Sequence, residues 1–339
     1  MKILSTCFQF SMALLFTLAA LAPGGIALAK PDGYESLLLG NEADAHTPTS
    51  PGFLLAGGNT DVDSAMQWLI DQSGGGDFVV IRASGTDAYN PYIYSELGRV
   101  VDSVETIIMK QDRAAYDPYV LGQIRDAEAL FIAGGNQWDY VRMWKETPVE
   151  DAIHELVARG VPVGGTSAGL AILGEFSFSA ERNTIYSDEA LKDPYNPRLT
   201  LENDFLHLPF LQGTITDSHF VERDRMGRLV TFLARILQDG WAGQARGIGI
   251  DGKTALAVDG NGVATLHGAG AAYFLRTTTT PEVCQKNDPL TFRDVDVFRL
   301  SGAGSTFNLA SWTGASGTAY SLSAVEGVLT STQPGGEIY

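Results

Sequence analysis

Short, mostly apolar runs recur in the first half of the chain, and stretches with helical spacing separate each run from the next. The runs cover residues 53–56, 78–81, 104–108, 129–132 and 161–163. A strand that is apolar along its whole length is buried on both faces, which is typical of a parallel sheet covered by helices. The pattern therefore predicts an α/β fold: a three-layer sandwich around a mainly parallel sheet.

The second half of the chain is richer in strand signals. Helices are predicted over 61–72, 117–126, 147–160 and 223–238, and after them the pattern favours strands. Residues 247–250 and 254–258, joined by Asp251-Gly252, predict a β-hairpin. We expect a leader over 30–50, an α/β domain over 51–275, and a C-terminal β extension of the same domain over 276–339, packed on the sheet.

The N-terminus has the order of a secretory signal. Lys2 precedes an apolar run over 12–21, and Ala27-Leu28-Ala29 supplies a small-x-small cleavage site. The sequence thus predicts a signal peptide over 1–29, cleaved near Ala29, a secreted or periplasmic protein, and no membrane attachment afterwards. Cleavage removes Cys7 and leaves Cys284 alone, so no disulfide forms within the mature chain.

The net charge and the motifs of the chain argue against several classes of partner and cofactor. The formal net charge of -17 argues against nucleic acid and anionic membranes as partners. His154-Glu155 has no second histidine at zinc-ligand spacing, and no cofactor or metal is expected. A homodimer is an open alternative to a monomer.

A glycine-flanked serine follows the fifth apolar run directly. Gly165-Thr166-Ser167-Ala168-Gly169 has the Gly-x-Ser-x-Gly pattern of a strand-to-helix elbow, which exposes a nucleophilic serine. Residues 168–173 are expected to continue as helix, so that the N–H of Ala168 lies at a helix N-terminus and stabilises an oxyanion. A tight packing turn is the alternative to a catalytic role.

A serine hydroxyl needs a base and, in a triad, a carboxylate that orients the base. His219 follows a strand pattern and precedes a helix, so it is expected at the same sheet edge as Ser167, and we favour it over His207. Spacing alone does not choose the acid. The candidates between Ser167 and His219 are Glu175, Glu181, Asp188, Glu189, Asp193, Glu202, Asp204 and Asp217.

Four motifs in order carry a family resemblance. They are 131–137 (FIAGGNQ), 165–169 (GTSAG), 217–220 (DSHF) with Arg223, Arg225, Gly227 and Arg228, and 247–251 (GIGID). Over residues 52–275 the chain resembles the cyanophycinases, which with dipeptidase E are serine peptidases on a class I glutamine-amidotransferase-like fold. The resemblance implies Ser167 as nucleophile, His219 as base and Glu189 as acid, with Asp188 as the fallback, and the N–H of Gly135 as an oxyanion donor beside that of Ala168.

The resemblance also implies a peptide substrate with β-aspartyl linkages, such as cyanophycin, cleaved to β-Asp-Arg. Arg223, Arg225 and Arg228 form a positive cluster in an acidic chain, suited to binding carboxylates. Pairing of these arginines with Glu222 and Asp224 is the alternative. Two more residues of these motifs are predicted in substrate binding, Gln137 and Asp217, and helix capping is the alternative for Gln137.

Two departures from the family pattern leave the substrate open. Ser218 stands where cyanophycinases typically carry glutamine, and the stretch between Ser167 and His219 is longer than in cyanobacterial members. The alternatives are a secreted dipeptidase for short aspartyl or isoaspartyl peptides and, from a different class, a non-catalytic peptide-binding protein on the same fold.

Overall fold

Five neighbouring parallel strands form the centre of a ten-stranded sheet, and they arise from the five apolar runs. The computed structural model describes residues 33–339, and the predicted signal peptide over 1–29 lies outside the described residues. Among the described residues, no helix is both long and apolar enough to span a membrane.

The strands and helices alternate up to the sixth strand, and strands dominate the last third of the described chain. The strands are β1 Tyr34–Gly40, β2 Gly52–Ala56, β3 Asp77–Arg82, β4 Ser103–Met109, β5 Ala129–Ile132, β6 Val163–Thr166, β7 Ser177–Phe178, β8 Leu201–Glu202, β9 Thr214–Asp217, β10 Arg246–Ile250, β11 Thr254–Asp259, β12 Val263–Gly268, β13 Ala271–Arg276, β14 Phe292–Ser301, β15 Thr306–Asn308, β16 Thr313–Gly314, β17 Thr318–Val325 and β18 Val328–Ser331. The α-helices are α1 Asp63–Gln72, α2 Tyr89–Pro91, α3 Pro118–Asp126, α4 Gln137–Trp144, α5 Pro148–Ala158, α6 Ser187–Lys192 and α7 Met226–Gln238. Shorter turns of other helix types span Tyr92–Glu96, Asp112–Tyr116, Leu170–Ile172 and Pro334–Gly336.

The larger sheet has the order β1-β4-β3-β5-β6-β2-β11-β12-β15-β16. Strands β4, β3, β5, β6 and β2 are parallel, and the strands at both sides of them are antiparallel. The carboxyl ends of the parallel strands therefore meet at one edge, where sites of α/β proteins form. Ser167 follows β6 at that edge.

Alternate residues of the parallel strands feed two separate cores, which makes the sandwich. Leu54, Phe78 and Phe131 pack with α1 on one face. Leu55 and Ile132 belong to the core on the other face, which α3, α4 and α5 cover. The predicted α/β three-layer fold with its mainly parallel central sheet is confirmed.

A second, six-stranded sheet has the order β18-β17-β14-β13-β10-β9 and is antiparallel except for the pair β9-β10. One of its faces joins the core beneath the first sheet through Ile250 and Phe274. Its other face packs against α7, whose inward residues include Leu229 and Leu233. The C-terminal β extension is thus part of this second sheet and of the edge of the first.

Three local predictions are wrong. The expected leader over 30–50 contains β1, which pairs antiparallel with β4 along its full length, because three consecutive leucines give it strand character. Strands β10 and β11 do not form a hairpin: each finds a partner in a different sheet. Residues 168–173 form turns and a short 3₁₀ segment rather than an α-helix.

The contact between the two sheets predicts a large cost for one substitution. The rings of Phe274 on β13 and Phe307 on β15 stack with centroids 3.7 Å apart, and Phe307 is buried. We expect Phe307→Ala to lower the free energy of unfolding by about 3–5 kcal/mol, since the cavity has no neighbour free to fill it. Urea unfolding measures this, with Val328→Ala as the control because Val328 is exposed. Equal stability of the two variants would contradict this account of how the sheets are joined.

Candidate active site

The elbow after β6 holds Ser167 in a left-handed conformation. Its φ is 53°, which a non-glycine residue adopts only when its surroundings enforce it. The N–H of Ser167 donates to the carbonyl of Ala56 at 3.1 Å, and that of Gly169 donates to Thr166 at 2.8 Å. These bonds turn the chain sharply at the end of the strand and leave the hydroxyl of Ser167 at the sheet edge.

The two glycines of the motif are required by close approach. A Cβ on Gly169 would lie 2.0 Å from the carbonyl oxygen of Ile132, and one on Gly165 would lie 2.7 Å from the backbone of Gly169. No side chain fits at either position, because real Cβ contacts are never so short. The glycines therefore let the elbow pack directly against β5.

His219 reaches Ser167 from the second sheet. It follows β9, and its Nε2 lies 2.8 Å from Oγ of Ser167, which brings the predicted nucleophile and base within hydrogen-bond distance. Its φ of 45° is also left-handed, and its N–H donates to the carbonyl of Gly57 at 2.8 Å. His207, the less favoured candidate for the base, instead pairs with Asp204 at the surface.

The surroundings of His219 favour the neutral imidazole. Burial lowers the pKa of His219 to about 4, and the positive charges of Arg223 and Arg225 act in the same direction. A neutral ring accepts a proton at Nε2, which is what a general base for Ser167 must do.

Neither predicted acid contacts this ring. Nδ1 of His219 is buried, and no side chain within residues 33–339 hydrogen-bonds to it. Glu189 instead accepts from the N–H of Tyr186 at 3.2 Å and pairs with Arg198 at 2.5 Å, and Asp188 is exposed. The assignment of Glu189, with Asp188 as fallback, is therefore corrected: Glu189 caps its own helix α6, and the described residues form a Ser–His pair without an acid.

The two predicted oxyanion donors lie beside Ser167. Gly135 and Ala168 both line the cavity that contains Ser167 and His219, and within residues 33–339 neither N–H is used in a hydrogen bond. The hydroxyl of Tyr140 lies 2.9 Å from the carbonyl oxygen of Ala133 and 3.2 Å from that of Gly134. Because the N–H of Gly135 belongs to the same trans peptide as the carbonyl of Gly134, it points the opposite way. This N–H is therefore directed away from Tyr140 and is free for an anion.

Asp217, Arg225 and Arg228 form a buried charge cluster under the site. Nε and Nη2 of Arg228 donate to the carboxylate of Asp217 at 2.7 and 2.5 Å, and Nη1 of Arg225 donates to it at 3.2 Å. Burial would raise the pKa of Asp217, but the charges of Arg228 and Arg225 outweigh burial and lower it. The alternative pairing of these arginines with Glu222 and Asp224 is wrong. Asp217 and Arg228 use their hydrogen-bonding groups on each other. Each therefore has a supporting role in place of the predicted contact with substrate.

Arg223 is the arginine of this group that stays available. It is exposed, and within the described chain no carboxylate pairs with it. It lines both the cavity of about 70 Å³ at Ser167 and a wider one of about 580 Å³ next to it. Gln137 lines both cavities too, and its Nε2 lies 3.3 Å from the carbonyl of Phe178. The site thus offers a free cation close to the nucleophile.

Sequence reasoning missed Gly58 as part of the site. A Cβ there would lie 2.5 Å from the His219 ring and 3.0 Å from Cβ of Ser167. Any side chain at this position would separate the base from the nucleophile. The sequence carries a signal for it, since Gly57-Gly58 directly follows a buried parallel strand whose carboxyl end lies at the same sheet edge as Ser167.

The chain is similar to known peptidases over the region that contains this site. The family model for peptidase family S51 matches residues 83–266, which include Gly135, Ser167 and His219.

Relatives named cyanophycinase are identical to the chain at about a quarter of the aligned positions. Those of Trichormus variabilis and Synechococcus elongatus are each 27% identical, over 64% of this chain and over 68% and 63% of their own lengths respectively. A crystal structure of a peptidase from an acI-B1 actinobacterium superposes with a TM-score of 0.53 at 15% identity, covering 77% of this chain and 98% of that one. At that identity the superposition supports the fold alone.

The buried charge cluster predicts a large effect on stability. Asp217→Asn leaves the buried guanidinium of Arg228 without its counter-charge, so we expect a loss of about 3–5 kcal/mol in the free energy of unfolding. The control is Asp296→Asn, whose partner Arg276 is partly exposed and whose loss should cost under about 1 kcal/mol. Denaturant unfolding of both variants decides: similar losses would mean that the cluster does not anchor this region.

Proposed function

Because the chain belongs to peptidase family S51, we propose that it is a serine peptidase in which Ser167 is the nucleophile and His219 the base. The observation that carries the proposal is the distance of 2.8 Å between Oγ of Ser167 and Nε2 of His219, two residues that are both held in left-handed conformations. Such enforced backbone geometry is typical of catalytic positions.

Acylation begins when Oγ of Ser167 attacks the scissile carbonyl carbon and His219 takes the hydroxyl proton at Nε2. The carbonyl oxygen becomes an anion, which the N–H groups of Gly135 and Ala168 are free to bind. As the C–N bond breaks, the proton on Nε2 passes to the leaving amine. The acyl group is then esterified to Ser167, and His219 is neutral again.

Deacylation repeats these steps with water. Nε2 of His219 accepts a proton from the water molecule as its oxygen attacks the ester carbon. The same two N–H groups bind the second oxyanion, and the proton returns to Oγ of Ser167 as the acid product leaves. Without a carboxylate at Nδ1, the imidazolium that forms in each half-reaction is stabilised less than in a triad.

The proposed substrate class is peptides with β-aspartyl linkages, including cyanophycin cleaved to β-Asp-Arg. Support comes from the free guanidinium of Arg223 at the rim of the Ser167 cavity, which suits a substrate carboxylate. The relatives named cyanophycinase point to the same class. The N-terminal pattern over residues 1–29 supports export of the protein, so we propose action outside the cytoplasm.

The nucleophile is tested by release of β-Asp-Arg from insoluble cyanophycin. We expect release by the mature protein, and a fall of at least about 10⁴-fold in Ser167→Ala, because no other group takes the acyl chain. Ser218→Ala is the matched control, since Ser218 is the neighbour of His219 and also lines the cavity. Chromatographic detection of the dipeptide measures all three.

The outcomes separate chemistry from substrate. Release by wild type and Ser218→Ala alone supports both. No release by any protein, together with hydrolysis of isoaspartyl dipeptides, would remove cyanophycin and keep the mechanism. Equal release by wild type and Ser167→Ala would show that the acyl-enzyme mechanism is wrong.

The pH dependence follows from the charge around the base. The acid limb of kcat/KM reports the free enzyme's base, so we expect it near pH 4, where His219 becomes protonated. Arg223→Gln removes a positive charge that opposes protonation, so the pKa of His219 rises and the limb moves to higher pH. A pH series of kcat/KM measures the position of the limb separately from any uniform loss of binding.

Arg293→Gln controls for a general change of protein charge, because Arg293 lies on the second sheet and pairs with Glu282. Its acid limb should coincide with that of the wild type. A limb that stays in place in Arg223→Gln would mean that another group limits the rate.

A further inference from the structure

The segment from His219 to Arg225 carries the base and two arginines of the site, yet it belongs to no strand or helix. Besides His219, Asp224 has a left-handed φ, of 46°. Within the segment, the N–H of Arg223 donates to the carbonyl of His219 at 3.2 Å and that of Arg225 donates to Phe220 at 3.0 Å. Two unfavourable backbone conformations in seven residues need support from elsewhere.

Tyr339, more than a hundred residues further along the chain, supplies such support at two points. Its hydroxyl donates to the carboxylate of Asp224 at 2.6 Å and accepts from the N–H of Met226 at 3.1 Å. Met226 is the first residue of α7, and the preceding residue, Arg225, provides no side-chain cap. One hydroxyl therefore caps the helix and holds the turn before it.

The ring of Tyr339 holds the other end of the segment. It packs edge-on against the ring of Phe220, next to the base, with centroids 6.0 Å apart, and in the same way against Tyr273 at 5.8 Å. Burial, and then the hydrogen bond to Asp224, raise the pKa of Tyr339, so its hydroxyl stays protonated and able to donate.

The second sheet anchors this tyrosine. The hydroxyl of Tyr320 on β17 donates to the carbonyl of Ile338 at 2.9 Å, and Nε2 of Gln333 donates to the carbonyl of Glu337 at 2.9 Å. The contact is thus continuous from the C-terminal strands to the segment that bears the base.

The position of Asp224 matters for the site arginines. Its carboxylate stands between Arg223 and Arg225 in the sequence, and it bonds to Tyr339 instead of to either guanidinium. With the tyrosine hydroxyl gone, this carboxylate becomes a competitor for Arg223, the free cation of the site.

We propose that Tyr339 is a positioning residue of this active site: through Asp224, Met226 and Phe220 it holds the segment 219–225 so that His219 meets Ser167 and Arg223 remains free for substrate. The kinetic part of this inference rests on the proposed peptidase function; the structural part does not.

The variant Tyr339→Phe tests the inference, because it keeps the ring packing and removes only the hydroxyl. We expect a roughly tenfold fall in kcat/KM on a β-aspartyl peptide, expressed more in KM than in kcat, as the hydrogen bonds to a charged carboxylate and a helix N–H are lost. In the double variant Tyr339→Phe with Asp224→Asn, KM should return most of the way to the wild-type value, because the neutral amide does not compete for Arg223.

Tyr195→Phe is the matched control. It removes a tyrosine hydroxyl that donates to the carboxylate of Asp239 at 2.6 Å, at the opposite end of α7 from Met226. We expect a lower unfolding temperature with kcat and KM close to wild type. Equal kinetic losses in Tyr195→Phe and Tyr339→Phe would overturn the inference and leave a general effect on stability.

Hydrogen exchange gives a readout that needs no activity. A peptide covering residues 219–226 should exchange several-fold faster in Tyr339→Phe and at the wild-type rate in Tyr195→Phe. If wild type hydrolyses no peptide but this difference is found, the proposed function fails and the positioning role of Tyr339 holds. An unchanged exchange rate in Tyr339→Phe would overturn the positioning role, whatever the wild-type activity.

Discussion

The ion pair between Asp217 and Arg228 fixes the geometry on which the site depends. Asp217 ends β9, and Arg228 lies in the first turn of α7, so the pair joins the two elements on either side of the turn that carries His219. The guanidinium of Arg228 also lies over the rings of Phe178 and Phe232, at 5.2 and 5.7 Å from their centroids. Separating the two partners would leave an uncompensated buried charge, so the pair opposes any rearrangement of the turn that moves them apart. His219, Arg223 and Arg225 all lie in the turn between these two residues.

The two reacting residues share one template. The N–H of Ser167 donates to the carbonyl of Ala56, and the N–H of His219 donates to the carbonyl of Gly57, so consecutive residues at the end of β2 hold both. Gly58, the next residue, is so close that a Cβ on it would meet both side chains. Because Ser167 and His219 each have a left-handed backbone, their conformations must be enforced from outside, and this short segment enforces both at once. The distance between Oγ and Nε2 is therefore set by the backbone of a third strand.

Local chemistry made the parallel strands, the serine elbow and His219 predictable from the sequence. An apolar run such as residues 78–81 is stable only in a strand that is buried on both faces. Glycines at positions 165 and 169, on either side of a serine, are typical of a tight turn after a strand. Long-range competition explains the failures. β10 and β11 carry the signals of a hairpin, but each pairs more extensively with another strand. Glu189 had a role implied by resemblance, whereas its place near the start of α6 and the nearness of Arg198 give its carboxylate two local partners. The contact of Tyr339 with Asp224 spans 115 residues and leaves no local pattern at all.

The proposed nucleophile and base come from different sheets: Ser167 extends a strand of the first, and His219 extends a strand of the second. Hydrogen bonding between them tolerates only a few tenths of an ångström. A slip of one sheet over the other that is too small to expose the core would thus be enough to break the pair. Activity in this architecture therefore depends on the exact position of one sheet relative to the other. It would be lost in partly loosened states that still look folded by their secondary structure.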